Sequence, residues 1–467
     1  MRRRVPELLA ALLLLCCVFG LALAQLAAAT APLRGLGGAA EAFPTSSANT
    51  AAWDALAREL HPQVVRVDLS WPRLEPRRAH FDDGYIASLA AGIDTVRASG
   101  ARVLLQVSAV PRWASDRAYW KHPMPGDRAN VYRTFYPLRR DRLGDLRACL
   151  LHLSTALKGK VLAYACWNEP NLWAQIFPQR TAGDSAFSAH LYARMLAAFA
   201  AGVRSGDPQA KVVAGETAPA GQNDRLSTSP QRFARVLRRS GAARWFDVYS
   251  HHPYAVGGTK HIAPDDPPRD PSHTVSMSNL RTLLRVFPSK PFYLTEYAYS
   301  THFSFHFGIS TTETGQATYL RRAYSLAAHY SQVRMLVWWM LRDVSSTGSY
   351  RNQWGWYMGL RRLDGSRKPA YYAFAGGNRL VLEPPAAIAR GSSATLRGTL
   401  TSASMGAVSG KVLRVQRLGA HGWVTVTRAR TRSGGAFAAR VRPKATAGWR
   451  VVWPGVATSA RRRLVVH

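Results

Sequence analysis

From Pro32 to Phe374, short apolar runs alternate with longer segments in which apolar residues recur at helical spacing. A short apolar run bounded by glycine, proline or polar residues is typical of a strand that is buried on both faces. Apolar residues three and four positions apart indicate the buried face of a helix. Alternation of the two along a chain predicts an α/β domain.

Eight strands are predicted in this region, with helices between most of them, and that number is what a closed (β/α)₈ barrel (TIM barrel) requires. We therefore expect a TIM barrel over residues 32–375. The predicted strands are Leu33–Leu36, Val64–Asp68, Val103–Val107, Val161–Trp167, Lys211–Gly215, Trp245–Ser250, Pro291–Glu296 and Met335–Trp339. The predicted helices are Ala51–Leu60, Phe81–Ala98, Leu143–Leu157, Phe187–Val203 and Leu280–Val286.

The pattern changes after Phe374. Residues 380–467 contain short alternating runs, with Gly434 and Gly435 as a turn, which predicts an all-β domain of the Ig-like sandwich type. This segment has fifteen Lys or Arg and a single acid, Glu383. It is interpreted either as an adhesion module for an anionic cell-envelope polymer or as a spacer of biased composition.

The first 24 residues have the features of a secretory signal peptide. Three arginines come first, an apolar stretch follows from Leu8 to Leu23, and Ala22-Leu23-Ala24 is a small-residue cleavage site. We expect removal of residues 1–24 and a secreted, extracellular protein. The alternative is an uncleaved N-terminal membrane anchor, because the apolar stretch is near the lower length limit for spanning a bilayer.

Charge and cysteine content narrow the function classes. The formal net charge is +35, but the basic residues are spread along all 467 positions and no nucleic-acid-binding motif is present, so no nucleic-acid partner is expected. After signal cleavage only Cys149 and Cys166 remain. The sequence favours two buried free thiols over a disulfide between them.

One strand end stands out for its chemistry. The run Val161–Trp167 stops at Asn168-Glu169-Pro170, where proline ends the strand directly after a carboxylate. Active sites of TIM barrels lie at the C-terminal ends of the strands. Glu296 ends the seventh predicted strand in the same way, and strands four and seven face each other across a barrel mouth. A retaining glycosidase needs two carboxyl groups about 5–5.5 Å apart. The pair supplies the two carboxyl groups, and its position at facing strand ends makes such a separation plausible.

Trp167-Asn168-Glu169-Pro170 together with Leu294-Thr295-Glu296 resembles the retaining glycoside hydrolases of clan A, near families 5 and 39. The resemblance covers roughly residues 32–375 and includes His252-Pro253-Tyr254 after the sixth strand and Trp339 on the eighth. Lys368–Phe374 resembles the final helix of such barrels. It implies that Glu169 is the general acid/base and Glu296 the nucleophile. It also implies substrate-binding or supporting positions, which are Arg66, Asn168, His252, Tyr254 and Trp339.

Each role is chemically reasonable. Arg66 would favour ionised Glu296, and Tyr254 could donate a hydrogen bond to it. Asn168 can donate to a sugar 2-hydroxyl. Trp339 offers a flat apolar face for a sugar ring. For Glu169, we expect an apolar setting formed by Tyr164, Cys166 and Trp167 to hold its proton.

Alternatives accompany two of these residues. Arg66 could instead be a structural ion-pair partner of Asp68. His251 and His252 suggest a metal site, but adjacent strand residues point to opposite faces, so no metal is expected. No cofactor is implied, since phosphate loops, dinucleotide fingerprints and Gly-x-Ser-x-Gly are all missing from the sequence.

The sequence thus predicts a secreted retaining glycoside hydrolase acting on a β-linked polysaccharide or oligosaccharide. The alternative is a catalytically silent carbohydrate-binding or cell-surface attachment protein on the same barrel. Sugar specificity, endo or exo action, and hydrolysis or transglycosylation are left open, because they depend on loops at residues 115–140, 218–235, 255–278 and 300–312.

Overall fold

The structure is a computed structural model that describes residues 31–38, 42–121, 135–256, 263–302, 310–345 and 356–467. The predicted signal segment, residues 1–24, lies outside these residues. So do residues 303–309, part of the loop after Glu296, and parts of two other predicted specificity loops, residues 122–134 and 257–262. No helix in the described ranges is long and apolar enough to cross a membrane.

Eight parallel strands close into a barrel in chain order, β1-β2-β3-β4-β5-β6-β7-β8, with β1 paired to β8. The predicted TIM barrel is confirmed. Each predicted strand is present, with bounds that differ by a few residues. The strands are β1 (Leu33–Gly37), β2 (Val64–Ser70), β3 (Arg102–Ser108), β4 (Ala163–Cys166), β5 (Lys211–Thr217), β6 (Val248–His251), β7 (Phe292–Tyr297) and β8 (Val333–Trp339).

Nine α-helices are found in the described part of the chain. They are α1 (Ser47–Leu60), α2 (Trp71–Leu74), α3 (Asp83–Ala98), α4 (Leu143–Ala156), α5 (Phe187–Gly206), α6 (Pro230–Arg239), α7 (Arg281–Leu284), α8 (Glu313–Ala328) and α9 (Pro369–Ala375). Short 3₁₀ helices span Arg117–Lys121, Arg140–Arg142, Ala242–Trp245 and Ser433–Gly435.

Side-chain caps mark the starts of three of these helices. Ser46, Asp82 and Thr312 each accept a hydrogen bond from the backbone N–H three residues later, at the start of α1, α3 and α8. Such a bond satisfies one of the four N–H groups that the first turn leaves without a partner. The caps therefore fix where these helices begin on the barrel wall.

Three helices were not predicted, namely the four-residue α2 and the longer α6 and α8. In α6 the sequence Pro-Gln-Arg-Phe-Ala-Arg-Val-Leu-Arg-Arg has few apolar positions, although Phe233, Ala234, Val236 and Leu237 are buried. In α8 most of the buried positions are alanine. The buried positions of α6 recur at helical spacing between arginines, so its signal was present in the sequence and was overlooked, whereas the alanines of α8 give only a weak periodic signal.

The inside of the barrel has two zones. The lower zone is apolar and consists of inward-facing side chains from seven of the strands: Val64, Leu104, Ala163, Ala165, Val213, Val248, Tyr293, Met335 and Val337. Gly35 on β1 leaves room for Val337, since a Cβ there would lie 2.6 Å from a Val337 methyl carbon. The upper zone, towards the C-terminal ends of the strands, is polar and charged.

The C-terminal region forms two facing β-sheets, which confirms the predicted β-sandwich. One sheet has the order β10-β18-β16-β13-β14, with β17 on β16, and the other has β12-β11-β15, with β9 on β11. The strands are β9 (Asn378–Glu383), β10 (Ala387–Ile388), β11 (Ala394–Ser402), β12 (Gly406–Ala407), β13 (Val412–Gly419), β14 (Gly422–Arg430), β15 (Ala436–Val441), β16 (Ala447–Trp453), β17 (Ala457–Thr458) and β18 (Arg462–Val466).

The sandwich packs directly on the barrel helices. Tyr372 on α9 lies 4.8 Å from Trp453 between ring centroids, and Arg321 on α8 donates to the carbonyl oxygen of Val456. Gly455 also approaches α8 so closely that a Cβ would lie 2.6 Å from the carbonyl oxygen of Thr314. The two parts of the chain thus share a packed interface.

The two cysteines of the described chain are unpaired and buried, as the sequence favoured. Cys149 lies on α4 and Cys166 on β4. Burial raises the pKa of both thiols well above its usual value. Thiols held in the protonated form are poor nucleophiles, so both cysteines belong to the packing of the barrel wall.

Candidate active site

The loop after β4 directs Glu169 towards the barrel axis. Strand β4 ends at Cys166, and Trp167 and Glu169 both have positive φ, 70° and 40°. The backbone N–H of Glu169 donates to the carbonyl oxygen of Glu216, the residue near the end of β5. A positive φ in a non-glycine residue costs about 1–3 kcal/mol and persists only where the surrounding structure fixes it. The strand end is therefore held in a conformation that serves the position of this carboxylate.

Glu296, near the end of β7, lies in a strongly ionic setting. Its Oε1 accepts a hydrogen bond of 2.6 Å from Nη1 of Arg66, and its Oε2 accepts one of 3.0 Å from the Tyr254 hydroxyl. The side chain is 12% exposed. Each carboxylate oxygen thus has a donor, and the predicted contacts with Arg66 and Tyr254 are both present.

The two glutamates share one hollow. Each offers a carboxylate oxygen within 4.8 Å of the other and of a nitrogen of His252. The Glu169 side chain is 21% exposed, so a ligand in the barrel mouth can reach it. The predicted pair, 127 residues apart in sequence, is thus brought to within the size of one sugar ring.

His252 lies between these carboxylates. Its Nδ1 is 3.0 Å from Glu169 Oε1 and 3.6 Å from Glu296 Oε2, and its Nε2 is 3.3 Å from Glu216 Oε2. Burial lowers the pKa of the imidazole, but Glu296, Glu169 and Glu216 together raise it to about 10. With both ring nitrogens facing carboxylates, His252 is an imidazolium that donates two hydrogen bonds.

Glu216 is a functional residue that the sequence analysis missed. It is fully buried on β5 with φ 47°, and Arg66, His252, Ser250 and Thr295 all donate to its carboxylate. Burial raises its pKa, but Arg66 and His252 lower it overall to about 2. The signal was available, because Glu216 directly follows an apolar strand, as Glu169 does.

Arg66 on β2 connects the buried charges. Besides Glu296, its guanidinium contacts Glu216 at 3.2 Å and Asp68 at 3.1 Å. The contact with Asp68, the alternative that the sequence left open, therefore coexists with the predicted one. The Asp68 side chain is 46% exposed, yet desolvation in the barrel mouth raises its pKa, an effect that Arg66 partly offsets.

Arg66 also orients Asn168. Its Nη2 donates to Asn168 Oδ1 at 2.8 Å. Only the oxygen of the amide can accept this bond, so the Asn168 NH₂ group points away from Arg66. That orientation leaves the amide ready to donate to a bound ligand.

Trp339 closes the wall at the end of β8. Its ring packs edge-to-face on Trp356, with 5.5 Å between centroids and an interplanar angle of 88°. Gly37 and Gly38 at the end of β1 lie against it; a Cβ on Gly37 would be 3.1 Å from Trp339 Cδ1. Two consecutive glycines therefore give the indole space to present a partly exposed face to the hollow.

The expected apolar setting of Glu169 is wrong. Tyr164 and Cys166 alternate with the inward-facing Ala163 and Ala165, so they point outward into the core between barrel and helices. Trp167 is buried and donates to the carbonyl oxygen of Gln175. The nearest influence on Glu169 is the His252 imidazolium, so the setting is ionic.

Glu169, His252 and Glu296 are spaced closely enough to hold a cation. Metal ligation requires a neutral imidazole, however, and His252 is held protonated by three carboxylates. His251 points away, with Nδ1 2.8 Å from Thr217 Oγ1 and Nε2 2.9 Å from the carbonyl oxygen of Val275. The geometry favours a hydrogen-bonded charge network over a metal centre.

Comparisons with known proteins define the fold. No family model and no curated protein matches the sequence. Among solved structures, a family 39 glycoside hydrolase from Bacteroides cellulosilyticus WH2 matches with TM-score 0.50 and 17% identity over 88% of this chain and 80% of its own. A single-substitution variant of GH5_18 from Streptomyces cattleya, in complex with Manβ1-4GlcNAc, matches with TM-score 0.51 and 16% identity over 74% of this chain and 79% of its own. A GH5_18 from Bifidobacterium longum subsp. infantis matches with TM-score 0.52 and 16% identity over 77% of this chain and 83% of its own. The chain shares the barrel fold of these glycoside hydrolases, in agreement with the resemblance found in the sequence.

Proposed function

We propose that the protein is a secreted retaining glycoside hydrolase that cleaves β-linked glycosidic bonds by double displacement. The observation that carries the proposal is the convergence of Glu169 and Glu296, with carboxylate oxygens within 4.8 Å. Retaining enzymes have carboxyl groups about 5–5.5 Å apart, whereas inverting enzymes need about 6.5–9.5 Å to admit a water molecule.

In the first step Glu296 attacks the anomeric carbon and Glu169 protonates the departing glycosidic oxygen. Arg66 and Tyr254 support the nucleophile role, because they donate to the two oxygens of Glu296 and so orient its carboxylate. The bond from the anomeric carbon to the leaving oxygen breaks as the bond to Glu296 forms. The products are a glycosyl ester on Glu296 and a free alcohol, and Glu169 is left ionised.

In the second step Glu169 takes a proton from water, and the hydroxide oxygen displaces Glu296 from the anomeric carbon. The positive charge of His252 lies beside both carboxylates during these two steps. Before the first step the negative charge is on Glu296, and after it the charge is on Glu169, while the same Nδ1 faces both carboxylates. A fixed cation between the two sites stabilises both charge states without reorganising.

Two further residues support binding of the sugar. The free NH₂ group of Asn168 can donate to a 2-hydroxyl, a contact that strengthens in the oxocarbenium-like transition state. The partly exposed face of Trp339 can stack on a pyranose ring. A carbohydrate is therefore the proposed substrate.

Turnover of aryl β-glycosides tests the proposal, with β-mannosides in the panel because one structural neighbour is in complex with Manβ1-4GlcNAc. Wild type should be active, and Glu296→Ala should lose at least about 10⁴-fold. Azide should rescue Glu296→Ala as an α-glycosyl azide and Glu169→Ala as a β-glycosyl azide. These opposite configurations would assign the nucleophile and the acid/base.

A catalytically silent carbohydrate-binding protein is the competing function. It predicts no turnover on any substrate in the panel, together with saturable binding of a glycan that Trp339→Ala weakens. Circular dichroism of each variant would show that it is folded.

We also propose export, on the strength of residues 1–24. N-terminal sequencing of protein recovered from the culture medium should begin at Gln25. Recovery of the intact N-terminus in the membrane fraction would instead support an anchor.

A further inference from the structure

A groove between α6 and α7 on the outer wall of the barrel is lined by arginine. It has a volume of about 620 Å³, and six residues line it: Arg235, Arg238, Arg239, Thr282, Arg285 and Val286. In a (β/α)₈ barrel the helices run antiparallel to the strands, so the C-terminal ends of the helices lie at the base, far from the mouth. Arg238, Arg239 and Arg285 are at such ends. The groove is therefore separate from the carboxylate site.

Four exposed guanidinium groups meet in this groove, and no acid lines it. Within the described ranges of the chain, none of the four side chains forms an ion pair or a hydrogen bond. Some exposed arginines in the same ranges pair with carboxylates, as Arg78 does with Asp145, and others, such as Arg397 and Arg428, do not. The groove brings four such unpaired guanidinium groups to one concave surface.

Arginine cannot relieve mutual repulsion by losing a proton, because its pKa is above 12. The carbonyl ends of α6 offset part of the charge on Arg238 and Arg239. An anion bound between the guanidinium groups would neutralise the remaining charge, and the planar guanidinium fork matches the two oxygens of a carboxylate, sulfate or phosphate. Several anionic groups on one polymer would engage several arginines in a single binding event.

The lining also narrows the class of polymer. It contains no aromatic side chain, whereas proteins that bind single-stranded nucleic acids stack bases on aromatic rings. Thr282 adds a hydroxyl and Val286 a small apolar contact. Guanidinium groups without neighbouring aromatic rings suit a chain of anionic sugars.

We propose that the groove between α6 and α7 is a binding site for an anionic polysaccharide, distinct from the catalytic mouth. It anchors the barrel by its base and outer wall, so the mouth stays open to substrate. This role does not depend on the proposed hydrolysis.

The test is fluorescence anisotropy of the full chain with labelled polygalacturonate (carboxylate groups) and labelled dextran sulfate (sulfate groups) at increasing NaCl, with neutral dextran as a blank. The groove variant carries Arg235→Gln, Arg239→Gln and Arg285→Gln. The matched control carries Arg58→Gln, Arg147→Gln and Arg194→Gln, which removes the same charge from exposed positions of other barrel helices, α1, α4 and α5. Thermal unfolding of both variants establishes that they fold.

The groove variant should lose at least about tenfold in affinity for one or both anionic polymers, and the slope of log K against log salt should fall by about 2–3 as contacts are lost. The control should change less than about twofold. The polymer that shows the larger difference identifies the anionic group. Equal losses in the two variants, or no loss in either, would overturn the site. Tighter binding of duplex DNA than of both polymers, lost in the groove variant alone, would overturn the choice of a polysaccharide.

Discussion

The lower and upper zones of the barrel interior differ in the kind of side chain that they bury. In the lower zone, nine side chains such as Leu104 and Val213 are apolar and fully or nearly buried. They gain stability from area removed from water and need no specific partner. A few ångströms above, Arg66, Glu216 and His252 are just as buried but charged. Glu216 is the anion that pairs with both cations.

The difference indicates what the upper zone is for. Desolvation of several charges costs free energy that their mutual attraction barely repays, and well-packed apolar side chains would be at least as stable. Glu216 has its pKa lowered to about 2 and His252 has its pKa raised to about 10, so all three charges persist at neutral pH. A charge network of this kind is understandable when it positions Glu169 and Glu296 for chemistry.

Arg66→Met should give the largest effect. It removes the cation that Glu216, Glu296 and Asp68 share, and breaking a buried pair costs about 3–5 kcal/mol of folding stability. Urea denaturation measures that loss. Activity should also fall, because Glu296 loses its closest cation.

The double variant Arg66→Met/Glu216→Met sharpens the comparison. It replaces both charges with apolar volume, so stability should return towards wild type while activity does not. Recovery of activity together with stability would mean that the upper zone serves only the fold.

Leu104→Ala in the lower zone is the matched case. Loss of buried volume should cost about 3 kcal/mol in the same denaturation assay. Turnover should change less than about threefold below the midpoint of unfolding, because Leu104 lies beneath the charge network. A large loss of turnover in fully folded protein would remove the functional distinction between the zones.

The two zones also differ in how well the sequence predicts them. The lower zone follows from local apolar runs, so all eight strands and the barrel could be predicted. The mutual approach of Glu169 and Glu296 followed from strand order and a recognised motif. His252 contacts both Glu216 and Glu169. These contacts depend on how β5 is aligned with β6 and on the positive φ angles of Trp167, Glu169 and Glu216. Periodicity contains none of that information.

Helices α6 and α8 were missed for different reasons. The buried face of α8 consists mostly of alanines and gives little periodic signal, whereas α6 places Phe233, Val236 and Leu237 at helical spacing and could have been predicted. The outward direction of Tyr164 and Cys166 was missed as well, although strict alternation along β4 could have indicated it.

The adjacent histidines predict opposite effects of pH on stability. His252 has a folded pKa of about 10, above its unfolded value of 6.5, so its contribution is complete below pH 6.5 and is lost as pH rises towards 10. His251 has its pKa lowered to about 3 by burial, so its contribution is present above pH 6.5 and is lost as pH falls towards 3. Each slope is at most about 1.4 kcal/mol per pH unit.

Denaturation curves of His252→Gln and His251→Gln at several pH values separate the two contributions. His252→Gln should flatten the alkaline limb, and His251→Gln should flatten the acidic limb. An unchanged alkaline limb in His252→Gln would mean that the imidazole is neutral and would reopen metal ligation by His252.

Trp339→Ala should give the smallest effect and should act on substrate binding rather than on the charge network. Stacking of an aromatic ring contributes about 0.5–1.5 kcal/mol beyond the area buried, so KM should rise about 2- to 10-fold while kcat is nearly retained. Trp339→Phe keeps a ring at this position and should recover part of the affinity. Trp338 is the matched control on the same strand, because it points into the core and donates to the carbonyl oxygen of Met358. Trp338→Phe should lower stability without changing KM. If Trp339→Ala instead lowers kcat and leaves KM unchanged, the indole positions the reacting carboxylates, and the polar upper zone extends to β8.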